Sequence, residues 1–455
     1  MQLKNRRPRA RHKLIAASCA LLSATAARAQ QDLPDLSQGD DSGTVVVDTA
    51  LGYYQESGGR IQAVEPVISS RKDYGDGRLL DLDFTYDSLS GATPNGALAS
   101  NSPQTFASPS GTSLSTTPQT YTTASGTTQT RAAPIYTVPA GELPMDPNFR
   151  DQRIAADGNF QYPLSPVTRL RVGGGLSHER DFFSLTANAA IARDFNEKNT
   201  TLSLGVNDEY DSVRPVGGAP LPGSDYALFQ KTGSKNKNGV GVMLGMTQIM
   251  SRRWIAQLNL TATRFSGYLD NPYKIVSIVD LTGDTTGYLY EKRPGSRTEK
   301  VAYLENRLGF SRGAARLALR YMADDWGIRS DTAEFSLRFW NPERDRYVEP
   351  LVRWYKQTAA DFYSPWISTE TGQYGSDVSA DSRLSAFHAL TYGLKYVERT
   401  TGGVGSGGSE FSLRLQYYRQ TEDNTPAGPG SLAGLDLYPG LKSVMLQVGW
   451  RFGSD

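Results

Sequence analysis

The chain has 455 residues and an almost balanced charge, with 48 Lys and Arg against 47 Asp and Glu, and one cysteine, Cys19. That cysteine lies in a predicted signal peptide, so the mature chain has none, which excludes disulfides, thiolate metal sites and cysteine nucleophiles. Removing the signal peptide also removes seven basic residues and no acidic one, leaving 41 against 47; the net charge of −6 argues against nucleic acid as a partner.

The first 29 residues have the three parts of a secretory signal peptide. Basic residues between Lys4 and Lys13 precede an apolar run, and Ala27-Arg28-Ala29 fits the cleavage site. We therefore predict export by the Sec pathway with cleavage near Ala29. Residues 30–49 are predicted to be a flexible N-terminal segment. No later apolar run is long enough for a membrane-spanning helix.

From residue 50 onward, apolar and polar side chains alternate, which is typical of strands with one apolar and one polar face. The segment LDLDFTYD at 80–87 is an example. Single-chain outer-membrane barrels have even strand numbers, so the count predicts about 16 strands, with 14 as the fallback. The predicted strands are centred near Tyr54, Val64, Phe84, Ile154, Leu170, Leu185, Leu204, Val242, Leu258, Leu304, Leu319, Leu337, Val352, Leu390, Leu413 and Leu446.

One long segment interrupts this pattern. Between Asp87 and Glu142 the only charged residue is Arg131, and Ser, Thr, Pro, Gln, Gly and Asn dominate. Such a composition buries too little apolar surface to offset the entropy of ordering, so we predict a long mobile outer loop over 88–149. A linker between two domains is the alternative, but strands of the same type on both sides favour the loop.

The C-terminal strand shows the same alternation, with Val444, Leu446, Val448, Trp450 and Phe452 on one face. A terminal strand of this kind is what an outer-membrane barrel needs to close its sheet. Predicted connections also alternate between short turns and long loops. Tryptophans near predicted strand ends fit interfacial aromatic girdles: Trp254, Trp340, Trp354 and Trp450. We therefore predict an all-β, transmembrane antiparallel up-and-down barrel over 50–455, set in the lipid of a Gram-negative outer membrane.

If the apolar faces contact lipid, the alternate side chains face an enclosed lumen. Arginines on one wall opposite carboxylates on the other would create a transverse field that orients polar solutes. Mutual pairing that only holds the wall together is the alternative. The candidate lumen-lining residues are Asp81, Asp83, Asp87, Arg169, Arg171, Glu305, Arg307, Arg316, Arg320, Glu334, Arg338, Glu349, Arg353, Arg383, Arg414 and Arg451.

Two predicted outer turns carry groups suited to acid–base or metal chemistry. His178, Glu179 and Asp181 lie in one, and Asp324 and Asp325 lie in the other. A histidine beside carboxylates can bind a metal or act as a base, and the arrangement resembles the mouth of outer-membrane proteases. Solvated turn charges are the simpler interpretation, so we predict no catalytic residue, no metal ligand and no cofactor.

Several short sequence motifs together resemble one bacterial envelope family, domain of unknown function 3570. The resemblance covers Tyr53 to Phe452 and implies an outer-membrane barrel. Genes of this family tend to lie beside genes for a small lipoprotein and a thioredoxin-like periplasmic protein. The resemblance therefore also implies one of these two proteins as a partner. Asp331 stands where the family pattern has a histidine, which weakens a metal site there. The motifs are YYQE at 53–56, SGATPNGA at 90–97, SHERDFFS at 177–184, DFNEKNTTLSLG at 194–205, GMTQIMS at 245–251, GYLDNPYK at 267–274 and ADDWGI at 323–328.

These patterns predict a conduit, either an open pore or a partner-gated export or uptake channel, for polar solutes or a secreted product. A non-conducting scaffold that docks envelope partners, such as those of a redox or export system, is the alternative. A surface hydrolase built on the outer-turn residues is a minor alternative.

Overall fold

Sixteen antiparallel strands form one closed barrel in the computed structural model, which confirms the predicted fold class and strand number. The described residues are 44–107, 119–122, 128–131, 135–215, 217–228, 230–369, 377–400, 409–423, 427–438 and 440–454. The predicted signal peptide and most of the predicted flexible segment lie outside them. The barrel strands are β1 (Val45–Glu56), β2 (Gln62–Asp73), β3 (Leu79–Pro94), β4 (Met145–Ser165), β5 (Thr168–Glu179), β6 (Phe182–Phe195), β7 (Thr200–Val213), β8 (Lys235–Ser251), β9 (Trp254–Gly267), β10 (Ser296–Phe310), β11 (Gly313–Asp324), β12 (Arg329–Trp340), β13 (Arg346–Gln357), β14 (Phe387–Thr400), β15 (Ser409–Glu422) and β16 (Lys442–Ser454).

The C-terminal strand closes the barrel. It pairs antiparallel with β1 from Val45 opposite Ser454 to Glu56 opposite Ser443. On the inner face of this seam, Arg451 donates two hydrogen bonds to Asp48, at 2.6 and 2.9 Å. The first strand therefore begins at Val45, five residues before the predicted boundary, because β16 supplies hydrogen-bond partners for residues 45–49.

The alternation along each strand produces an apolar outer face and a polar inner face. On β7, Leu204 and Val206 are 45% and 50% exposed on the outside, whereas Ser203 and Glu209 are buried on the inside. The same division holds on β8 and β9, where Leu244 and Leu260 point outward. An exterior of exposed leucine, valine and phenylalanine is what contact with hydrocarbon requires.

Of the residues that the structure describes, none forms a helix long and apolar enough to cross a bilayer. The described part of the chain contains three short 3-10 helices, at Tyr226–Leu228, Ser382–Leu384 and Gly430–Gly434. All three lie in loops between barrel strands.

Three of the four tryptophans predicted for an aromatic girdle face outward. Trp254, Trp354 and Trp450 are 39 to 45% exposed on the outer face near strand ends. The prediction for Trp340 is wrong, because the alternation of β12 places Phe339 outside and turns Trp340 inward. Its ring lies 4.6 Å from that of the buried Tyr347.

The connections differ in length at the two ends of the barrel, as predicted. One end, the turn end, carries the short connections 74–78, 166–167, 196–199, 252–253, 311–312 and 341–345. The other, the loop end, carries the long connections 95–144, 214–234, 268–295, 358–386 and 423–441. The predicted loop over 88–149 is shorter than expected, because β3 and β4 stay paired as far as Pro94 opposite Met145.

The long loops contain small sheets of their own. Ile275–Val279 pairs with Thr285–Tyr290 and, in parallel, with Trp366–Ser368. Three further two-stranded sheets join Gln104–Ala107 to Ile135–Val138, Gln119–Thr122 to Thr128–Arg131, and Ala219–Pro220 to Lys231–Thr232. The loop end is thus built of folded segments.

Candidate functional site

The inner wall formed by β10 to β13 holds a chain of paired charges. Glu305 accepts hydrogen bonds from Arg307 and, at 2.8 Å, from Arg316. Arg316 also contacts Glu334, and Glu334 has Arg353 at 4.0 Å on its other side. These inward positions follow from the period of two along each strand, and their registers place the charges side by side.

A second set of ion pairs and hydrogen bonds lines β2 to β6. Asp81 accepts from Arg71 at 2.6 Å and from Arg171 at 3.1 Å. Asp83 accepts from the hydroxyl of Ser69, and Asp87 from Arg153. Near the turn end, Arg169 donates two hydrogen bonds to Asp194, at 2.7 and 2.8 Å. A large part of the predicted lumen set is therefore paired, as the wall-pairing alternative expects.

Other predicted lumen residues also lie on the inner face. Arg338 pairs with Glu349 at 2.7 Å. Arg320 and Arg414 occupy inward positions of β11 and β15. Lys395, an inward residue of β14, was missed by the sequence analysis, although continuing the alternation from Phe387 would have identified it.

The prediction for Arg383 is wrong. Arg383 lies in the 3-10 helix Ser382–Leu384 of the loop 358–386, and the next barrel strand begins only at Phe387. Asp381 caps this helix, accepting the backbone N–H of Arg383 and, at 2.8 Å, its Nε. An aspartate that satisfies the first turn of a helix ends the alternating pattern on which the prediction relied.

The outer-turn residues do not assemble into a hydrolase site. His178 is the exposed, outward-facing residue next to the end of β5, whereas Glu179 is buried and faces inward. The turn with Asp324 and Asp325 follows β11, six strands further around the barrel. At about 4.8 Å between neighbouring strands, that separation exceeds hydrogen-bond reach several times over.

Asp324 and Asp325 instead build a turn. Asp324 accepts the backbone N–H groups of Trp326 and Ile328 at 3.0 and 2.8 Å and pairs with Arg297. Asp325 accepts the N–H of Thr298 at 2.8 Å. The turn seats Trp326 and Ile328 in an apolar cluster at the loop end, so the motif DDWGI is structural.

Glu179 and Asp181 join Asp151, which the sequence analysis missed, in a group of three carboxylates at the loop end. One oxygen from each lies within 4.8 Å of the others. The hydroxyl of Tyr273 donates to Asp181. Burial first, and the charge of Asp151 second, raise the pKa of Asp181 to about 6.

The long loops pack together into a layer across the loop end, which we call the cap. The loops after β3, β9 and β15 leave the closed barrel four to six strands apart. Even so, Leu98 N–H donates to Ser277 Oγ at 3.0 Å, and Ser431 N–H donates to Thr282 O at 2.9 Å. Contacts among these three loops therefore extend across the mouth of the barrel.

Apolar clusters hold the cap together. Phe106 is 1% exposed, and its ring lies 5.2 Å from that of Tyr288 and 5.6 Å from that of Tyr136. Leu98 packs with Val279 and Leu432 in a second cluster. For residues 95–107 and 135–138, the expectation of an unpacked, mobile loop is thus wrong, because a few apolar residues in a polar segment are enough to join a core supplied by other loops.

An ionic cluster joins two cap loops. The side chains of Arg293, Glu291 and Asp381 are at most 2% exposed, and Arg293 pairs with Glu291 at 2.7 Å and with Asp381 at 2.8 Å. Lys274, in the same region, donates to the carbonyl of Pro94. Burial alone would raise the pKa of Asp381, but Arg383 and Lys274 hold it well below its usual range.

Gly283 and Gly430 permit the contact between the loops 268–295 and 423–441. A Cβ on Gly430, whose φ is +51°, would lie 2.1 Å from Thr282 O. We expect Gly430→Ala to separate the loops, because that oxygen is backbone and cannot move away alone. The measurement is hydrogen exchange at the amide of Ser431, which should lose protection.

Gly434 provides the matched control in the same loop, because a Cβ there meets nothing within 4 Å. Gly434→Ala should leave the exchange of Ser431 unchanged. Equal protection in the two variants would show that the contact does not depend on the close approach at Gly430.

Similar solved structures include three Pseudomonas aeruginosa proteins. The outer membrane protein OpdK is 10% identical, with 90% of this chain and 99% of that chain covered and a TM-score of 0.39. OccD3 (OpdP) is 9% identical, with 93% of this chain and 97% of that chain covered and a TM-score of 0.43, and OccK2 (OpdF) is 11% identical, with 91% and 99% covered in the same order and a TM-score of 0.38.

The sequence comparisons identify the family of the chain. No curated protein matches the chain. A family model described as "Protein of unknown function (DUF3570)" matches residues 11–452, nearly the whole sequence. The resemblance noted from the motifs is confirmed, and the chain belongs to the family of proteins of unknown function DUF3570.

Proposed function

We propose that this protein is an outer-membrane conduit for polar solutes, closed at its loop end by the cap and opened when the cap loosens. The single observation that supports this most is the enclosed inner face, which is lined by charged and polar side chains from β1 round to β16. A barrel that served only as an anchor would not need so many charges inside. Charged lumens of this kind select and orient polar solutes.

The location follows from the outer face. Leucine, valine and phenylalanine side chains are about half exposed around the whole barrel, which water would disfavour and hydrocarbon would accept. The barrel leaves no strand edge unpaired, as a spanning sheet requires. Export by the predicted signal peptide would deliver the chain to the outer membrane.

The cap is the proposed gate. It belongs to the loops, so it can rearrange without breaking the barrel ladder. The buried pairs of Arg293 with Glu291 and Asp381 join its parts and would be exposed to water when it opens. Opening therefore exchanges buried ion pairs for hydrated ones, a change that a solute or a partner protein could bias.

Reconstitution of the full chain in planar bilayers tests the proposal. We expect current from the wild type, with closures caused by the cap, and a larger open fraction when the cap is destabilised. Absence of current from both the wild type and the cap variant Asp381→Asn would contradict a conduit.

The cap also favours a second candidate, a non-conducting scaffold, because a folded layer across the mouth presents a surface for docking. The implied lipoprotein or thioredoxin-like protein would then be the docked partner. A scaffold predicts that destabilising the cap weakens partner binding and creates no current, whereas a conduit predicts current.

Acidification should close the cap. Burial raises the pKa of Asp270 to about 6, as it does that of Asp181. A carboxyl with a raised folded-state pKa contributes stability that is fully present below its unfolded pKa, near 3.9, and is lost as pH rises through about 6. Lys274, whose pKa burial lowers to about 8, changes charge above this window. The open fraction in bilayers should therefore be smaller at pH 5 than at pH 7.

Asp270→Asn separates this effect from other titrations. Asparagine imitates the protonated carboxyl and can still accept the N–H of Arg293, which Asp270 does at 2.6 Å. The variant should show at pH 7 the low open fraction that the wild type shows at pH 5. An open fraction at pH 7 as high as that of the wild type would remove Asp270 from the explanation.

A further inference from the structure

On the wall from β11 to β15, three inward-facing cations have no ion-pair partner among the described residues: Arg320, Lys395 and Arg414. Lys395 on β14 stands directly opposite Arg414 on β15 in the register of the two strands. Arg414 is only 8% exposed. Arg320 lies on β11, nearer the loop end.

The neighbouring carboxylates are already engaged by other arginines. Glu349, opposite Lys395 on the other side, pairs with Arg338 at 2.7 Å. Glu299, the carboxylate whose charge acts most on Arg320, pairs with Arg297 at 2.7 Å. The wall from β11 to β15 therefore keeps positive charge that the described side chains do not neutralise.

Such an arrangement is unfavourable without a ligand. Like charges directly opposite each other in an antiparallel pair repel and destabilise the sheet. Burying a guanidinium without a counter-charge is costly, because the ion loses part of its hydration. Beside Arg320, across the strand, the buried hydroxyl of Thr332 also lacks a hydrogen-bond partner. All four residues occupy inward-facing positions of their strands.

We propose that Lys395 and Arg414, with Arg320 and Thr332 further toward the loop end, bind oxyanions, so that the conduit carries solutes bearing carboxylate or phosphate groups. A guanidinium presents parallel N–H groups that fit both kinds of oxyanion, and an ammonium adds a point charge. This inference rests on the proposed conduit function for its transport part, but the binding part can be measured without transport.

The transport part is tested by the reversal potential in a potassium chloride gradient across a planar bilayer. The wild type should prefer chloride, and the double variant Lys395→Gln/Arg414→Gln should lose that preference. The matched control is Lys356→Gln/Arg419→Gln, which removes the same charge from exposed, outward-facing positions of β13 and β15. This control should keep the wild-type reversal potential. Identical potentials in the wild type and the inward variant would overturn the assignment.

The binding part is tested by calorimetry on the folded full chain in detergent, with inorganic phosphate and with acetate as probes. We expect the inward double variant to bind at least about tenfold more weakly than the wild type, since each charged hydrogen bond contributes substantially. The two probes show which oxyanion is preferred. If neither phosphate nor acetate binds the wild type, water solvates these cations and the inference fails. If the wild type binds a probe but neither the wild type nor any variant conducts, the conduit proposal fails and the oxyanion site stands.

Discussion

Replacing Asp381 with asparagine should open the cap and raise the conductance of the barrel. The substitution removes one of the two carboxylates that pair with buried Arg293, and it also removes the negative charge that acts most on buried Lys274. Removing one partner of a buried ion pair costs about 3–5 kcal/mol. At about 1.4 kcal/mol per tenfold change in an equilibrium, the open population should rise about a hundredfold or more. Single-channel recording of the open fraction measures this directly.

A matched control for this variant exists in the same loop. Asp377 pairs with Lys292 at 3.6 Å, but both side chains are 37% exposed, and an exposed pair contributes about 0–1 kcal/mol. Asp377→Asn should therefore leave the open fraction nearly unchanged. If the two variants behave alike, or if Asp381→Asn unfolds the barrel together with the cap, the cap is not an independent gate.

The second large effect concerns the outer face of the barrel. Val206, near the middle of β7, is 50% exposed and points outward. If this face contacts hydrocarbon, Val206→Arg should destabilise the folded barrel by about 2–4 kcal/mol, the cost of an arginine at the bilayer midplane. Unfolding in denaturant after refolding into phospholipid vesicles measures the free energy.

The adjacent residue tests the opposite face. Asn207 points into the lumen, where an added arginine can stay hydrated. Asn207→Arg should change the free energy of unfolding by less than about 1 kcal/mol, since substitutions inside the lumen mainly affect selectivity. Equal destabilisation by the two substitutions would mean that the outer face does not contact hydrocarbon while the inner face contacts water.

The strands were predictable because one rule governs every one of them. A wall with lipid outside and polar groups inside imposes a strict period of two, and the segment around Leu204 shows it as clearly as the C-terminal strand. Boundaries were less predictable. Pairing of β3 with β4 continues to Pro94 and Met145 through segments whose composition resembles a loop.

The pairing inside the lumen could not be predicted residue by residue. Arg171 reaches Asp81 although β4 lies between their strands, a contact that depends on register and tilt. The cap was missed for a related reason. Its contacts join positions as distant as Leu98 and Ser277, and its apolar residues follow no period. Sequence patterns describe neighbours along a strand, whereas these sites are made by parts brought together only in the closed barrel.

The seam between the first and last strands makes completion of the chain a condition for assembly. Without Lys442–Ser454, β15 and β1 would each present a full row of unsatisfied backbone groups. Two such edges in one molecule invite pairing with other chains, and neither can enter hydrocarbon. A product that lacks this thirteen-residue strand would therefore be unable to close its sheet within a bilayer.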